Sequence, residues 1–225
     1  MIGIISGADF SFIEGAETTE FKTPYGSVCA FVLEGAIFVP RHGIKRNVPP
    51  HRINHRANIF AFKHRKIDEI IGVNSVGSLK IAIPPESLLV PHDYIALWNI
   101  PTYYDSERVH ITPGLDEDLR ERIISAARSL SYPVFEKGIY FQTSGPRLET
   151  KAEINLLKDY ADVVGMTMAS EATLARELGL RYASICTVDN YCHGISSIPL
   201  SFEEILENTK KNIKKVERVL IEIMR

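Results

Sequence analysis

Short apolar runs recur along the chain and stop at small or polar residues. Runs at 2–6, 28–33, 36–40, 69–74, 88–90, 94–98, 138–143, 162–165 and 182–188 are rich in Ile and Val. They have the length of strands. Several are apolar at consecutive positions, which suits the centre of a sheet covered on both faces. Between some of them apolar residues return at three- and four-residue intervals, predicting helices over 54–65, 116–130, 150–160 and 170–178. In the first of these Ile59 and Phe62 face inward. Ser201 followed by Glu204 forms the capping-box pattern that satisfies the first N–H groups of a helix. A long closing helix over 201–225 follows, with Phe202, Ile205, Leu206, Ile213, Val216, Leu220 and Ile223 at helical spacing. Lys210, Lys211, Lys214 and Lys215 fall largely elsewhere, as on a solvated face. Alternating β and α segments predict an α/β fold, a mixed central β-sheet flanked by helices on both faces. No repeat, low-complexity tract or linker divides the chain, so 1–225 reads as a single domain.

A length of 225 residues is enough to bury one sizeable core. With 26 basic against 28 acidic residues, the chain has no electrostatic footprint for a nucleic-acid backbone or an anionic membrane. Any nucleotide chemistry should therefore involve a small molecule. No apolar run reaches the roughly 18 residues of a membrane span, and the longest candidate, 28–40, is interrupted by Glu34. The opening MIGIISGADF lacks the basic region of a signal peptide. Cys29, Cys186 and Cys192 form no C-x-x-C pair and leave an odd thiol, so reduced thiols in a cytoplasmic protein are expected.

Candidate chemistry collects at strand ends. Ser6-Gly7 turns after the first strand, where backbone N–H groups can converge on an anion, although an ordinary turn looks alike. Arg41-His42-Gly43 follows the strand at 36–40, and a guanidinium fork beside an imidazole suits phosphate oxygens. A surface pair in a basic turn with Lys45 and Arg46 is the plain alternative. Asn74 and Ser75 place small polar groups after another apolar strand. Glu149 precedes the cap Thr150, where a carboxylate commonly just steadies a helix start. Met166-Thr167 and Asp189-Asn190 close two further strands. His51 and His55 share helical i, i+4 spacing, but no carboxylate or thiol at matching spacing completes a metal site.

Taken in order, these pieces resemble the trimeric purine nucleoside phosphorylase and methylthioadenosine phosphorylase family. The pieces are RHG at 41–43 with NHRANIFAFK at 54–63, NSVGSL at 74–79, GPRLET at 145–150, VGMTMASEA at 164–172 and YASICTVDNY at 182–191. The resemblance implies phosphorolysis, in which inorganic phosphate attacks C1′ of a purine nucleoside and releases the free base. It implies no metal or organic cofactor, with phosphate as co-substrate, and a homotrimer or homohexamer. Ser6, Arg41, His42, Asn74, Ser75 and Thr167 would surround the phosphate. Met166 would border the ribose, Glu149 and Asn190 would face the base, and Leu148 would contact the nucleoside, with Asn190, Glu149 and His42 as the catalytic group. His110 would reach a neighbouring subunit's site near the 5′ group. On this reading Arg41→Ala raises the phosphate KM and leaves the fold intact.

Two departures stand out. The family's first loop usually reads Gly-Gly-Ser/Thr-Gly; here it is Ser6-Gly7-Ala8-Asp9, with no hydroxyl at Ala8 and a carboxylate beside it. Arg46 stands where the methylthioadenosine enzymes have a histidine, and would add positive charge. At the base end, Asn190 can donate to O6 and accept from N7–H, and Glu149 can accept N1–H. Both favour a 6-oxopurine. Phe202, Ile205 and Leu206 would form an apolar 5′ pocket suited to a methylthio group. The combined expectation is S-methyl-5′-thioinosine, with a broader inosine and guanosine phosphorylase as the alternative. Methylthioadenosine cleavage, or a nucleoside-binding paralogue without turnover, stands further off.

Overall fold

In the computed structural model, residues 1–98, 100–197 and 201–225 are described. The elements in chain order are β1 (Ile2–Ser6), β2 (Glu17–Thr23), β3 (Gly26–Leu33), β4 (Ala36–Pro40), α1 (His55–His64), β5 (Glu69–Ser78), β6 (Leu88–Leu89) and β7 (Asp93–Ile95). These are followed by α2 (Glu117–Ser129), β8 (Val134–Phe135), β9 (Ile139–Gln142), α3 (Lys151–Leu157), β10 (Val163–Gly165), α4 (Met168–Glu177), β11 (Arg181–Tyr191) and α5 (Phe202–Met224).

Strand β5 is the branch point of the sheet. Along one edge it pairs with β11 in parallel from Glu69 to Ser78. Along the other it pairs with β1 in parallel, from Ile70 to Val73, and then with β10 antiparallel at Gly77 and Ser78. The sheet therefore forks at 74–76. One arm runs through β1 to β4, β3 and β2; the other through β10 to β9 and β7. Beyond β11, the short strands β6 and β8 extend the sheet on the far side.

Helices cover both faces, as the alternating pattern predicts. Ala57, Ile59 and Phe62 of α1 pack with Met168, Ala172 and Leu174 of α4 against one side. Leu119 and Ile123 of α2 pack with Val216 and Leu220 of α5 against the other. A smaller cluster joins Ile154 and Leu157 of α3 to Phe141 and Val164. Among the described residues no helix is long and apolar enough to cross a membrane.

The boundaries correct the sequence pattern in places. The strand expected at 94–98 is three residues, Asp93–Ile95, and α3 ends at Leu157 instead of 160. Strands β2 and β8 were not foreseen. β2 is largely polar, with only Phe21 of its seven residues buried, and is held by its hairpin with β3. Strands β5 and β11 run past their apolar stretches, so Asn74, Ser75 and Asn190 lie within strands rather than beyond them.

Candidate active site

The fork leaves a gap between the ends of β1 and β10, and a cavity of about 410 Å³ opens there. Ser6, Gly7 and Ala8 line it from the end of β1, Arg41 and His42 from the end of β4, and Ser75, Val76 and Gly77 from the exposed stretch of β5. Met166 and Thr167 enter from the β10–α4 junction, Leu148 and Glu149 from the loop before α3, and Thr187 and Asn190 from β11. Phe202, Ile205, Thr209 and Ile213 of α5 close the remaining side.

Most of the expected residues thus meet in one place. Three do not line the cavity. Asn74 is buried behind the wall, donating to the Thr167 hydroxyl at 2.8 Å and accepting from Ser184 at 2.7 Å. It fixes Thr167 instead of facing a ligand. Leu206 points to solvent, 57% exposed, because the helical turn that directs Ile205 inward rotates its neighbour out. His110 is exposed in the segment before α2.

Arg41 is far more enclosed than a ligand-binding arginine in a surface turn. Its guanidinium grips Glu171 of α4 with two N–H groups and donates to Val73 O at 2.8 Å and Ile5 O at 3.1 Å. Four of its five N–H donors are therefore taken by protein acceptors, leaving one on Nη1. Burial works against this charge, but Glu171 outweighs it and holds the guanidinium pKa up. Tyr182 donates a further 2.8 Å hydrogen bond to Glu171. Glu171 was not singled out in the sequence, although a carboxylate on the small apolar face of MASEATLA is itself a sign of a buried partner.

His42 is positioned by Nδ1, which donates to Val48 O at 2.7 Å. Nε2 is left facing the turn at Gly7, where a Cβ would lie 3.1 Å from it. A side chain there would have to push the ring back by a few tenths of an ångström. Burial lowers the His42 pKa, and the Arg41 charge lowers it further, so the ring is neutral near pH 7 and Nε2 offers a lone pair. The Ser6 hydroxyl accepts from Ala8 N–H at 2.9 Å and so shapes the loop. Asp9 forms an ion pair with Arg46, so the carboxylate in this loop is met by the arginine that stands nearby.

At the other end Glu149 is 9% exposed and receives the Thr143 hydroxyl at 2.7 Å. Asn190 donates one Nδ2 hydrogen to Tyr191 O at 2.9 Å, leaving its second N–H and its carbonyl oxygen. Gly77 makes room here too, since a Cβ would meet Cys192 Sγ at 2.5 Å and Asn190 Nδ2 at 3.2 Å. Burial, with the Glu149 charge, pushes the Cys192 thiol up, so it is a neutral wall of the cavity. His193, Thr209 and Ile213 also line the site, and sequence reasoning did not place them there.

The family model described as "Phosphorylase superfamily" matches residues 2–225. A "Probable 6-oxopurine nucleoside phosphorylase" from Archaeoglobus fulgidus is 46% identical, over 100% of this chain and 96% of that protein. A "Probable S-methyl-5′-thioinosine phosphorylase" from Thermodesulfovibrio yellowstonii is 38% identical, over 96% and 86% respectively. Among solved structures, a methylthioadenosine phosphorylase from Schistosoma mansoni in complex with adenine superposes with a TM-score of 0.87 at 27% identity. The match covers 99% of this chain and 90% of that one.

Proposed function

The chain belongs to the phosphorylase superfamily, and from that membership we propose that it is an enzyme cleaving 6-oxopurine nucleosides with inorganic phosphate. The observation that carries the choice of base is the pairing of Asn190 and Glu149 in one cavity. Asn190 has an N–H free for O6 and a carbonyl for N7–H, while the Glu149 oxygen not held by Thr143 can take N1–H. A 6-aminopurine has no N1 proton to give.

In the reaction a phosphate oxygen bonds to C1′ as the C1′–N9 bond breaks. The bonding pair passes into the purine, and the proton that monohydrogen phosphate loses on becoming an ester balances the one the base takes up, so the products are the free base and a sugar 1-phosphate. The sugar develops oxocarbenium character, so phosphate held beneath C1′ and a partner for the purine at N7 lower the same barrier. Phosphate would be met by the remaining Arg41 N–H and the Thr167 hydroxyl, which accepts from Asn74 and keeps its own hydrogen. Neutral His42 would accept the hydroxyl of the monohydrogen phosphate at Nε2. No organic cofactor or metal enters this reading.

Phe202, Ile205 and Ile213 make part of the cavity apolar and support S-methyl-5′-thioinosine as substrate, giving hypoxanthine and 5-methylthioribose 1-phosphate. Inosine and guanosine are the second reading, favoured by His193 and Thr209, which bring polar groups to the same cavity. Rates on a panel crossing hypoxanthine, guanine and adenine with 5′-hydroxyl and 5′-methylthio groups, with and without phosphate, test both. Base release should require phosphate, and Asn190→Asp should move preference toward 6-aminopurines. Equal release without phosphate would replace a phosphorylase by a hydrolase.

A further inference from the structure

Behind the cavity wall lies a carboxylate to which the reaction above assigns nothing. Asp189 is fully buried. It sits where the β5–β11 register slips: Val188 pairs with Val76 and Asn190 with Gly77, so Asp189 is the extra residue of a bulge. The slip turns Asn190 into the cavity and Asp189 away from it. Oδ2 receives the hydroxyl of Ser75 and, at 3.2 Å, that of Thr187. Oδ1 receives Asn212 Nδ2 of α5 at 2.9 Å. Burial pushes the Asp189 carboxyl up, and these hydrogen bonds oppose the shift. Lys215 reaches the Asn212 carbonyl at 3.4 Å and not the carboxylate, so among the described residues the hydrogen bonds the carboxylate accepts come from neutral donors.

The Ser75 and Thr187 hydroxyls that donate to Asp189 belong to cavity-lining residues. A hydroxyl has one hydrogen, and here it points backward, so each presents only oxygen lone pairs to the cavity. Such a wall repels the acceptor oxygens of phosphate and favours a hydrogen-bond donor. This moves the Ser75 hydroxyl from the phosphate, where the family resemblance puts it, toward the nucleoside.

We propose that Asp189 is a positioning residue that makes the Ser75–Thr187 wall an acceptor, selecting nucleosides with a donor group, a ribose hydroxyl or a purine amino group, placed against it. The proposal rests on the reading that this cavity holds a purine nucleoside. Removing the ligand's donor leaves these oxygens unpaired, which by the usual cost of an unmet buried polar group weakens binding about tenfold.

The test is a cycle between protein and ligand. Dissociation constants and kcat/KM are measured for inosine, 2′-deoxyinosine, 3′-deoxyinosine and guanosine with the wild-type protein, Asp189→Asn, Ser75→Ala and Thr187→Val. The wild type should lose about tenfold in affinity for one of the deoxy analogues, or gain as much for guanosine. The variants should abolish that one preference and leave the other ratios unchanged. Which analogue responds tells a sugar hydroxyl from the 2-amino group. Equal weakening for every ligand, or an unchanged preference in folded variants, would overturn the proposal while leaving the phosphorylase reading intact. If Asp189→Asn does not fold, the two hydroxyl deletions, which keep the carboxylate, decide the matter. A wild-type protein that neither binds nor cleaves any of the four would remove both readings.

Discussion

Arg41 shows how much a single residue's meaning depends on its partner. Its position after an apolar strand makes it legible as a ligand-facing arginine, but its main bond is to Glu171, 130 residues away. No local spacing reveals that pair. The consequence bears on one expectation: Arg41→Ala would strand a fully buried carboxylate, a loss of the order of 3–5 kcal/mol, so its effect on the phosphate KM would come with a loss of stability. His55 belongs to the same cluster. Its side chain is 10% exposed, Nδ1 has no hydrogen-bond partner among the described residues, and Glu171 is 3.9 Å away. Burial, with the Arg41 charge and against the opposing pull of Glu171, pushes its pKa down to about 4. The folded ring therefore stays neutral where an unfolded one, with its ordinary value of 6.5, takes a proton. Stability from this group is present above pH 6.5 and is lost as pH falls toward 4, up to about 3 kcal/mol in all. Urea unfolding at several pH values across that window should show the loss in the wild type and a flatter slope in His55→Gln. An identical slope in the two would mean that the buried ring titrates as freely as an exposed one.

At the scale of elements, the hydrophobic period located the five α-helices of the described residues and most strands, because burial on one face repeats along the chain. It failed for β2, whose pairing is supplied by its hairpin partner, and for the inward face of α5. The apolar stripe of α5 is buried at Val216 and Leu220, but Phe202 and Leu206 are exposed. In the middle of the helix the fully enclosed residues are instead Asn208 and Asn212. Asn208 donates to Asp189 O at 3.0 Å, and Asn212 to Val188 O at 3.0 Å as well as to the Asp189 carboxylate. The bulge of β11 exposes carbonyls that no strand takes: Asn208 meets Asp189 O, and Asn212 shares Val188 O with the Glu86 N–H. A polar residue on a buried helix face reads from sequence as a solvent-facing one, so this latch was not legible. Asn212→Leu would take a donor from the buried Asp189 carboxylate, while Val188 O keeps the Glu86 N–H, and should cost about 1–3 kcal/mol. Leu206→Ala, on the exposed face, should stay within roughly 0.5 kcal/mol. Denaturant midpoints at unchanged m-value measure both. An Asn212→Leu protein as stable as the wild type would show that the latch contributes nothing.

At the scale of the whole molecule, the segment 96–115 between β7 and α2 stands apart from the layers. It has no helix or strand among its described residues, yet it is tied down. Glu177 of α4 receives the Thr102 hydroxyl and the Tyr103 N–H, both at 2.7 Å, and Tyr103 donates to Arg56 O at 2.7 Å. So anchored, it presents Leu97, Trp98, Ile100 and Val109 to solvent, a density of exposed apolar side chains that suits a protein interface. Family likeness supplies the rest of the argument: we propose a trimer or hexamer in which His110, exposed and outside its own chain's cavity, completes a neighbour's site. In a head-to-tail ring each site would take Asn190 from one subunit and His110 from the next. Asn190→Ala and His110→Ala should each lower activity alone. Mixed in equal amounts under conditions of subunit exchange, they should restore about a quarter of the sites, because random assembly places a subunit with native Asn190 beside one with native His110 at that frequency. Sedimentation gives the oligomer and the mixing assay gives the sharing. A fully active monomer on dilution, or no recovery after demonstrated exchange, would confine the active site to one chain and leave the apolar segment to some other contact.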